Sequence, residues 1–348
     1  MRDRVNQATL GTFVGIFTYC LVVLRTVRDP GEDGAQFVPS LAVFGGLVLG
    51  ILGIALLVFF IHYIARSIQA TEIIAAVGNE TRETIDRLFP DEVDSEDASG
   101  DDMACAPGTP VREGERVPVL ASRTGYVQGL DIEELVELAQ RDDAIVHSLV
   151  PVGGFVVDGT PIAVVTSASD LDPETVRRFG KHVSIGRQRT TQQDAAFGMR
   201  QLVDVALKTL SPSVNETTTA TLCLDQLAAT LVLLSGRRLR CSFRDEDGQV
   251  RLGTPGPDYA GFVELAFDEI RRSAEGNVAA LESLLRAIER VAAETSLPAR
   301  RQALAEQVRA ATESIGRSVP APAERDRLAE RVTEVLRLCE RNPAGRPG

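Results

Sequence analysis

Residues 37–65 read FVPSLAVFGGLVLGILGIALLVFFIHYIA, a run without a single charged side chain, and residues 66–88 follow without a proline as RSIQATEIIAAVGNETRETIDRL. One helix over Leu41–Leu88 would be about 70 Å long, more than twice the roughly 30 Å hydrocarbon core of a bilayer. The stretch therefore predicts a membrane span that leaves the lipid near Ala65-Arg66 and continues as a helical stalk over 67–90. Two ladders of apolar or small residues at seven-residue spacing, Ile64, Thr71, Gly78, Ile85 and Ile74, Thr81, Leu88, give that stalk a seam. The seam fits equally a copy of itself or the chain's own soluble part.

Upstream, Leu10–Leu24 (LGTFVGIFTYCLVVL) is also uncharged. With its flanks it is long enough to cross, so spans of about 9–27 and 38–65 form a transmembrane hairpin within residues 1–66. A signal peptide would need a small-residue cleavage site after the run, whereas Arg25, Arg28 and Pro30 stand there. Asp29–Gln36 joins the spans, so both outer ends lie on one side, and Arg2, Arg4, Arg66, Arg82 and Arg87 favour the cytoplasm. Both spans carry small residues four apart: Gly11 and Gly15 in the first, Ala42, Gly46 and Gly50 in the second. Such faces let backbones approach where lipid offers no hydrophobic drive, either within the hairpin or between copies of the chain. His62 at the inner boundary is an interfacial polar tip.

The remainder of the 348 residues is charged and acidic, with a net charge of -12. That balance argues against nucleic-acid binding, which needs clustered cations on phosphates. Lys181 and Lys208 are the lysines; the other cations are arginines. Five cysteines, Cys20, Cys105, Cys223, Cys241 and Cys339, have neither metal-ligand spacing nor the pattern of a disulfide framework, and point to a reducing compartment. DEVDSEDASGDD (91–102) reads as a solvated acidic linker within 91–115.

Residues 116–167 read as a small β module. VPVLAS, GYVQGL, AIVHSLV, GGFVVDG and PIAVVTS have strand character, and DIEELVELAQRDD is a helix inserted among them. The pattern Gly154-Phe-Val-Val-Asp-Gly159-Thr-Pro161-Ile is similar to the glycine turn of biotinyl, lipoyl and adaptor-type barrel-sandwich domains. Those carriers need a lysine at a hairpin tip, and the first lysine here is Lys181, so the module is structural. The expected fold class is an α-helical membrane hairpin plus a cytoplasmic α+β region, in which the β module precedes a mainly helical C-terminal part.

Residues 168–254 form a mixed helical and hairpin region around IGRQRTTQQDAAFGMRQLVDVALKTLSPSVNE (185–216). Asp194 is placed to cap a helix running to about Leu210. Arg200, Asp204 and Lys208 recur four apart on one stripe, the spacing of a salt-bridge ladder. Arg187 and Arg189, just before the helix start, would instead offer guanidinium forks and free backbone N–H groups to an anion. The candidate anion or ligand pocket is Arg187, Arg189, Asp194, Arg200, Asp204 and Asn215. Thr217–Leu234 is a second apolar helix, RLRCSFRDEDGQVRLG a hairpin turning at Asp247-Gly248, and 255–342 a helical bundle.

Three groups of residues carry a resemblance to a bacterial predicted-membrane-protein family, domain of unknown function 2254. They are DRVNQATLGTFVGIFTYCLVVLRTVR with FVPSLAV and FFIHYIARSIQ; GYVQGLD with GGFVVDGTPIAVV; and IGRQRTTQQDAAFGMRQLVDVALKTLSP with AFDEIRR and GN. The family usually has Pro-Gly-x-Asn-Asp-Pro after the long helix, where this chain has Pro212-Ser-Val-Asn215-Glu216-Thr217. It also usually has a further hydrophobic pair upstream, so the resemblance implies either a short form or a mis-started reading frame. The resemblance implies topology and no activity.

Protease, hydrolase and Walker-type motifs are missing, and His62, His147 and His182 are dispersed. The expectation is a non-enzymatic integral membrane protein of the cell (plasma) membrane, multi-pass, with its bulk cytoplasmic. It uses no cofactor and no metal; its partners are the lipid bilayer and copies of itself, with any small-molecule or anion ligand unknown. A membrane-anchored oligomeric scaffold or regulator leads. A channel or transporter-like assembly, and a membrane-tethered anion sensor or enzyme, are the alternatives.

Overall fold

The computed structural model describes residues 2–26, 40–67, 70–90, 115–168 and 171–341. The acidic linker and the loop between the two expected spans lie outside these residues. The chain divides into two compact units, Met1–Ile73 and Ile74–Gly348.

The first unit holds α1 (Arg2–Thr26) and α2 (Ser40–Ser67). They pack antiparallel: Tyr19 lies against Gly45 and Gly46, while Ile16, one turn earlier, lies against Gly53 further along α2. The Tyr19 hydroxyl donates to the Ala42 carbonyl at 3.2 Å. A Cβ on Gly45 would sit 2.8 Å from that hydroxyl, so the residue is small because the tyrosine crosses there. The glycines expected to pack divide on this point. Gly46 meets only the Tyr19 ring edge at 3.9 Å, whereas Gly11, Gly15 and Gly50 have nothing within 4 Å of where a Cβ would stand. Phe17, Leu24, Leu41, Phe44, Ile51 and Ile54 are exposed, an apolar surface suited to lipid. Ser40–Val58 is long and apolar enough to cross a membrane, and Gly11–Arg25 is a shorter apolar stretch.

The second unit begins inside α3 (Ala70–Leu88) and contains two hydrophobic cores. Its β part is a five-stranded sheet in the order β1-β5-β3-β8-β7 and a three-stranded sheet in the order β4-β2-β6. The strands are β1 (Glu115–Leu120), β2 (Gly125–Leu130), β3 (Ala144–Ser148), β4 (Phe155–Val156), β5 (Pro161–Ser167), β6 (Val183–Gly186), β7 (Ser242–Arg244) and β8 (Val250–Gly253). Helices α4 (Ile132–Arg141) and α5 (Pro173–Lys181) complete the core with Leu135, Leu138, Val176 and Phe179. The expected barrel-sandwich drew every strand from 116–167, and the structure does not follow that plan. β6 pairs with β2, and β8 pairs in parallel with β3, because Ile185 and Leu252 supply apolar side chains that the short module alone lacks. The Asp247-Gly248 hairpin forms as read, with Gly248 at φ +78°.

The helical part comprises α6 (Ala195–Leu210), α7 (Thr217–Ser235), α8 (Tyr259–Ser273), α9 (Val278–Glu294), α10 (Pro298–Ser318) and α11 (Pro322–Glu340). Residues of α3 from Ile74 onward join this bundle: Ile74 and Ile85 are buried in its core. From Ile74 onward the segment read as a stalk is thus packed, and its seam residues Ile74, Gly78, Thr81 and Ile85 are covered by the chain's own helices, whereas Thr71 is exposed. Close crossings make that possible. A side chain at Gly198 would collide with Thr81, and one at Gly78 with Gln226. Apolar α7 also has the length to cross a bilayer, but half of it is buried and its Leu227, Leu231 and Leu234 form the centre of the bundle. Two adjacent arginines at the start of α10 are buried, and each donates to carbonyls at helix ends: Arg300 to Leu234 and Arg237, Arg301 to Thr295 and Ala292. Helix C-termini have orphan carbonyls and a negative pole, so a guanidinium fork satisfies both.

Cys223 and Cys339 are free and buried. Cys241 is disulfide-bonded, which departs from the reduced set expected.

Candidate functional site at the IGRQRT loop

Ile185 belongs to the β core and Ala195 to the helical core. The residues between them carry the chain from one core to the other, and the side chains of Arg189, Thr191, Gln193 and Asp194 with the carbonyls of Gln188 and Gln192 are committed on the way, while the buried Thr190 hydroxyl has no partner among the described residues. Thr191 donates its hydroxyl to Glu80 of α3. The Gln192 carbonyl accepts from Arg87, also of α3, at 3.2 Å. Gln193 uses both ends of its amide on Leu130, accepting from its N–H at 2.9 Å and donating to its carbonyl at 3.1 Å, as a neighbouring strand would. Gln128 of β2 donates to the Gln188 carbonyl at 2.8 Å.

Asp194 then closes the loop. Its Oδ1 accepts the Phe197 N–H at 2.9 Å, capping α6 as the sequence predicts, and its Oδ2 accepts from Arg189 Nε and Nη2 at 3.0 and 2.7 Å. The Arg189 guanidinium also lies 4.8 Å from the Phe197 ring centre. Burial pushes the Asp194 carboxyl above the ordinary carboxylate range, while Arg189 and the Phe197 amide pull the other way. Over this pair lies Gly153 at φ +86°, in the loop between β3 and β4; a Cβ there would collide with Asp194 Oδ2. Gly153 of the GGFVVDG stretch and Asp194, just past IGRQRT and about forty residues on in sequence, meet at that contact.

The six residues read as one anion pocket fall in four places. Arg189 and Asp194 pair with each other. One turn on, Arg200 donates Nε to Asp204 at 2.8 Å and grips both carboxylate oxygens of Glu269 on α8, the second at 3.1 Å. The hydrogen bond from Arg200 holds the Glu269 carboxyl below its usual range. The ladder stops there, for Lys208 is exposed and makes no ion pair among the described residues. Asn215, at φ +47°, sits at the far end of α6 and accepts from Asn277 at 3.3 Å; Asn277 also reaches Thr217 and caps α9 through Ala280. Arg187 is exposed. With Asp194 on the Phe197 amide and on Arg189, the expected anion seat is filled by the protein's own carboxylate.

A cleft of about 610 Å³ beside the loop is lined by Gln128, Asp131, Lys181, His182, Thr190 and Gln193 among others. Acidic Asp131 and Glu133 stand at its rim with Lys181, and His182 Nδ1 lies 3.6 Å from Asp131. The groups that matter and were not singled out in the sequence are Glu80, Gly153, Gln193, Glu269 and Asn277. Apart from Glu80, each lies in a stretch quoted for the family resemblance, but nothing in a linear pattern pairs one stretch with another.

The family model described as a predicted membrane protein of unknown function, domain of unknown function 2254, matches residues 1–290. The chain belongs to this family. The match includes the hairpin, the β module, the IGRQRT loop, Glu269 and Asn277, and stops within α9, before the buried Arg300 and Arg301. An uncharacterized protein of Mycobacterium bovis and one of Mycobacterium tuberculosis are each 32% identical over 313 residues, 88% of this chain and 58% of theirs. The chain therefore spans less than two thirds of the length of the curated relatives it matches. No solved structure matches.

Proposed function

We propose that this family member is a non-catalytic, membrane-anchored scaffold or regulator that works as a homo-oligomer, with the helical hairpin in the cell membrane and the bulk of the chain in the cytoplasm. One observation carries the proposal: four residues in a row hold elements together, Thr191, Gln193 and Asp194 through their side chains and Gln192 through its carbonyl, although Gln192 and Gln193 also line the cleft. Such a loop is a joint. It fixes the β module, α3 and α6 in one arrangement, which is what a scaffold needs. The arginines at both outer ends of the hairpin support the cytoplasmic placement. The full chain in detergent should run at a multiple of the 37.5 kDa protomer mass. A mass of one protomer at every concentration sinks the proposal.

A pore formed by several hairpins is the second reading, favoured by the open sites at Gly11, Gly15 and Gly50, where another helix would approach closely. Ion or solute flux through reconstituted bilayers would move the assignment there.

A further inference from the structure

Three turns at one end of the β module are tied to one another. The Leu149 N–H donates to the Ile162 carbonyl, the Ala121 N–H donates to the Thr160 carbonyl, the Gly159 N–H donates to the Ala121 carbonyl, and the Asp158 N–H donates to the Thr124 hydroxyl. Leu120 stands opposite Pro161 in the β1–β5 register. Beside these turns Leu120 at the end of β1, Phe155 in β4, and Leu149 and Val157 in the adjoining loops are all at least half exposed, with Phe155 at 58% and its ring edge-on to Tyr126 at 5.2 Å. Four large apolar side chains exposed at this end of the module mark a surface that is covered in use.

The geometry points to a second copy of this chain as what covers it, through a two-fold contact of the Phe155 tip with itself. Charge identifies the occupant. Arg123 and Asp158 flank the apolar residues on adjoining turns, both are exposed, and among the described residues neither has an ion partner. A patch with one free charge of each sign is self-complementary: about a two-fold axis, Arg123 of each copy meets Asp158 of the other. Four side chains are fewer than the roughly 800 Å² per partner that a stable soluble dimer buries. That fits chains already concentrated by a shared membrane, where a modest contact suffices because association is confined to a plane. The tip also has a way to report its occupancy, since Gly153, two residues before Phe155, rests on the Asp194 and Arg189 pair.

This inference rests on the oligomeric scaffold reading and names its contact. The test uses the full chain in nanodiscs and in detergent. Arg123→Asp and Asp158→Arg should each reduce the oligomer by at least tenfold in association constant, and the double variant should restore it, because the swapped charges meet again across the axis. Phe155→Ser should weaken it without rescue. If both single swaps leave the oligomer mass unchanged, the tip is not the contact, although the scaffold reading stands. If wild type is a single protomer throughout, both fall. Hydrogen-exchange protection of residues 149–161 that follows the presence of lipid rather than oligomer mass would assign the tip to the bilayer and overturn the proposal.

Discussion

Gly153 lies directly over the Asp194 carboxylate, at a φ of +86° that an L side chain adopts only with strain, and so a residue of the β module seals the helix cap of the bundle. Gly153→Ala adds a methyl group where Oδ2 stands. The full chain should lose about 2 to 4 kcal/mol of stability, from left-handed strain plus displacement of a half-buried ion pair. Urea unfolding followed by circular dichroism measures it, and an unchanged midpoint would show that the contact carries no weight.

Asp194→Ala removes the cap and strands Arg189 at once, and is expected to cost more than Asp194→Asn, which still accepts from the Phe197 amide. The two variants should differ by about 1 kcal/mol or more. Equal losses would mean that capping is not what Asp194 contributes.

Acid should separate Glu269 from Asp194. The Glu269 carboxyl is held below its ordinary 4.5 by the Arg200 hydrogen bond, so its contribution is complete above that pH and fades as pH falls through the lowered value. The melting-temperature gap between wild type and Glu269→Gln should close on acidification. Asp194 has the opposite sign: raised by burial above 3.8, its contribution is complete below that pH and is lost as pH rises through the raised value. Wild type should therefore lose ground to Asp194→Asn over that rise. Parallel pH profiles for all three proteins would contradict both assignments.

Gly198 and Gly78 let α3 lie against α6 and α7. Gly198→Val should push α3 off the bundle, and hydrogen exchange over 74–88 should rise while α9 and α10 stay protected. Protection of 74–88 equal to wild type would show that the crossing tolerates the side chain.

Burial pushes the Cys223 and Cys339 thiols up to about 12 and about 11. Maleimide at pH 8 should label neither in the folded chain and both after unfolding, since the thiolate is the reacting form. Rapid labelling of either in native protein would contradict the core packing around it.

The membrane character of α2, the individual helices of the C-terminal part, the Asp194 cap and the Asp247-Gly248 hairpin are legible in the sequence, because each follows from local periodicity or turn chemistry. The partners of the candidate site residues are not legible, for a physical reason. Arg187, Arg189 and Arg200 look alike in a linear pattern, and only tertiary pairing shows that Arg189 is spent on Asp194 and Arg200 on Glu269, sixty-nine residues away. The seam of α3 was equally legible but its partner was not, since Ile74 and Ile85 would suit a second copy as well as α6 and α7.

By itself, then, the sequence determined where the chain is apolar enough for lipid and where its helices and turns begin and end, because those depend on neighbours in the chain. The tertiary structure decided what those elements close upon: β6 and the β7–β8 hairpin completing the β sheets, α3 joining the bundle, and the IGRQRT loop becoming a joint under Gly153. Those outcomes turn on side chains far apart in sequence competing for the same partners, and a linear pattern holds no record of who wins.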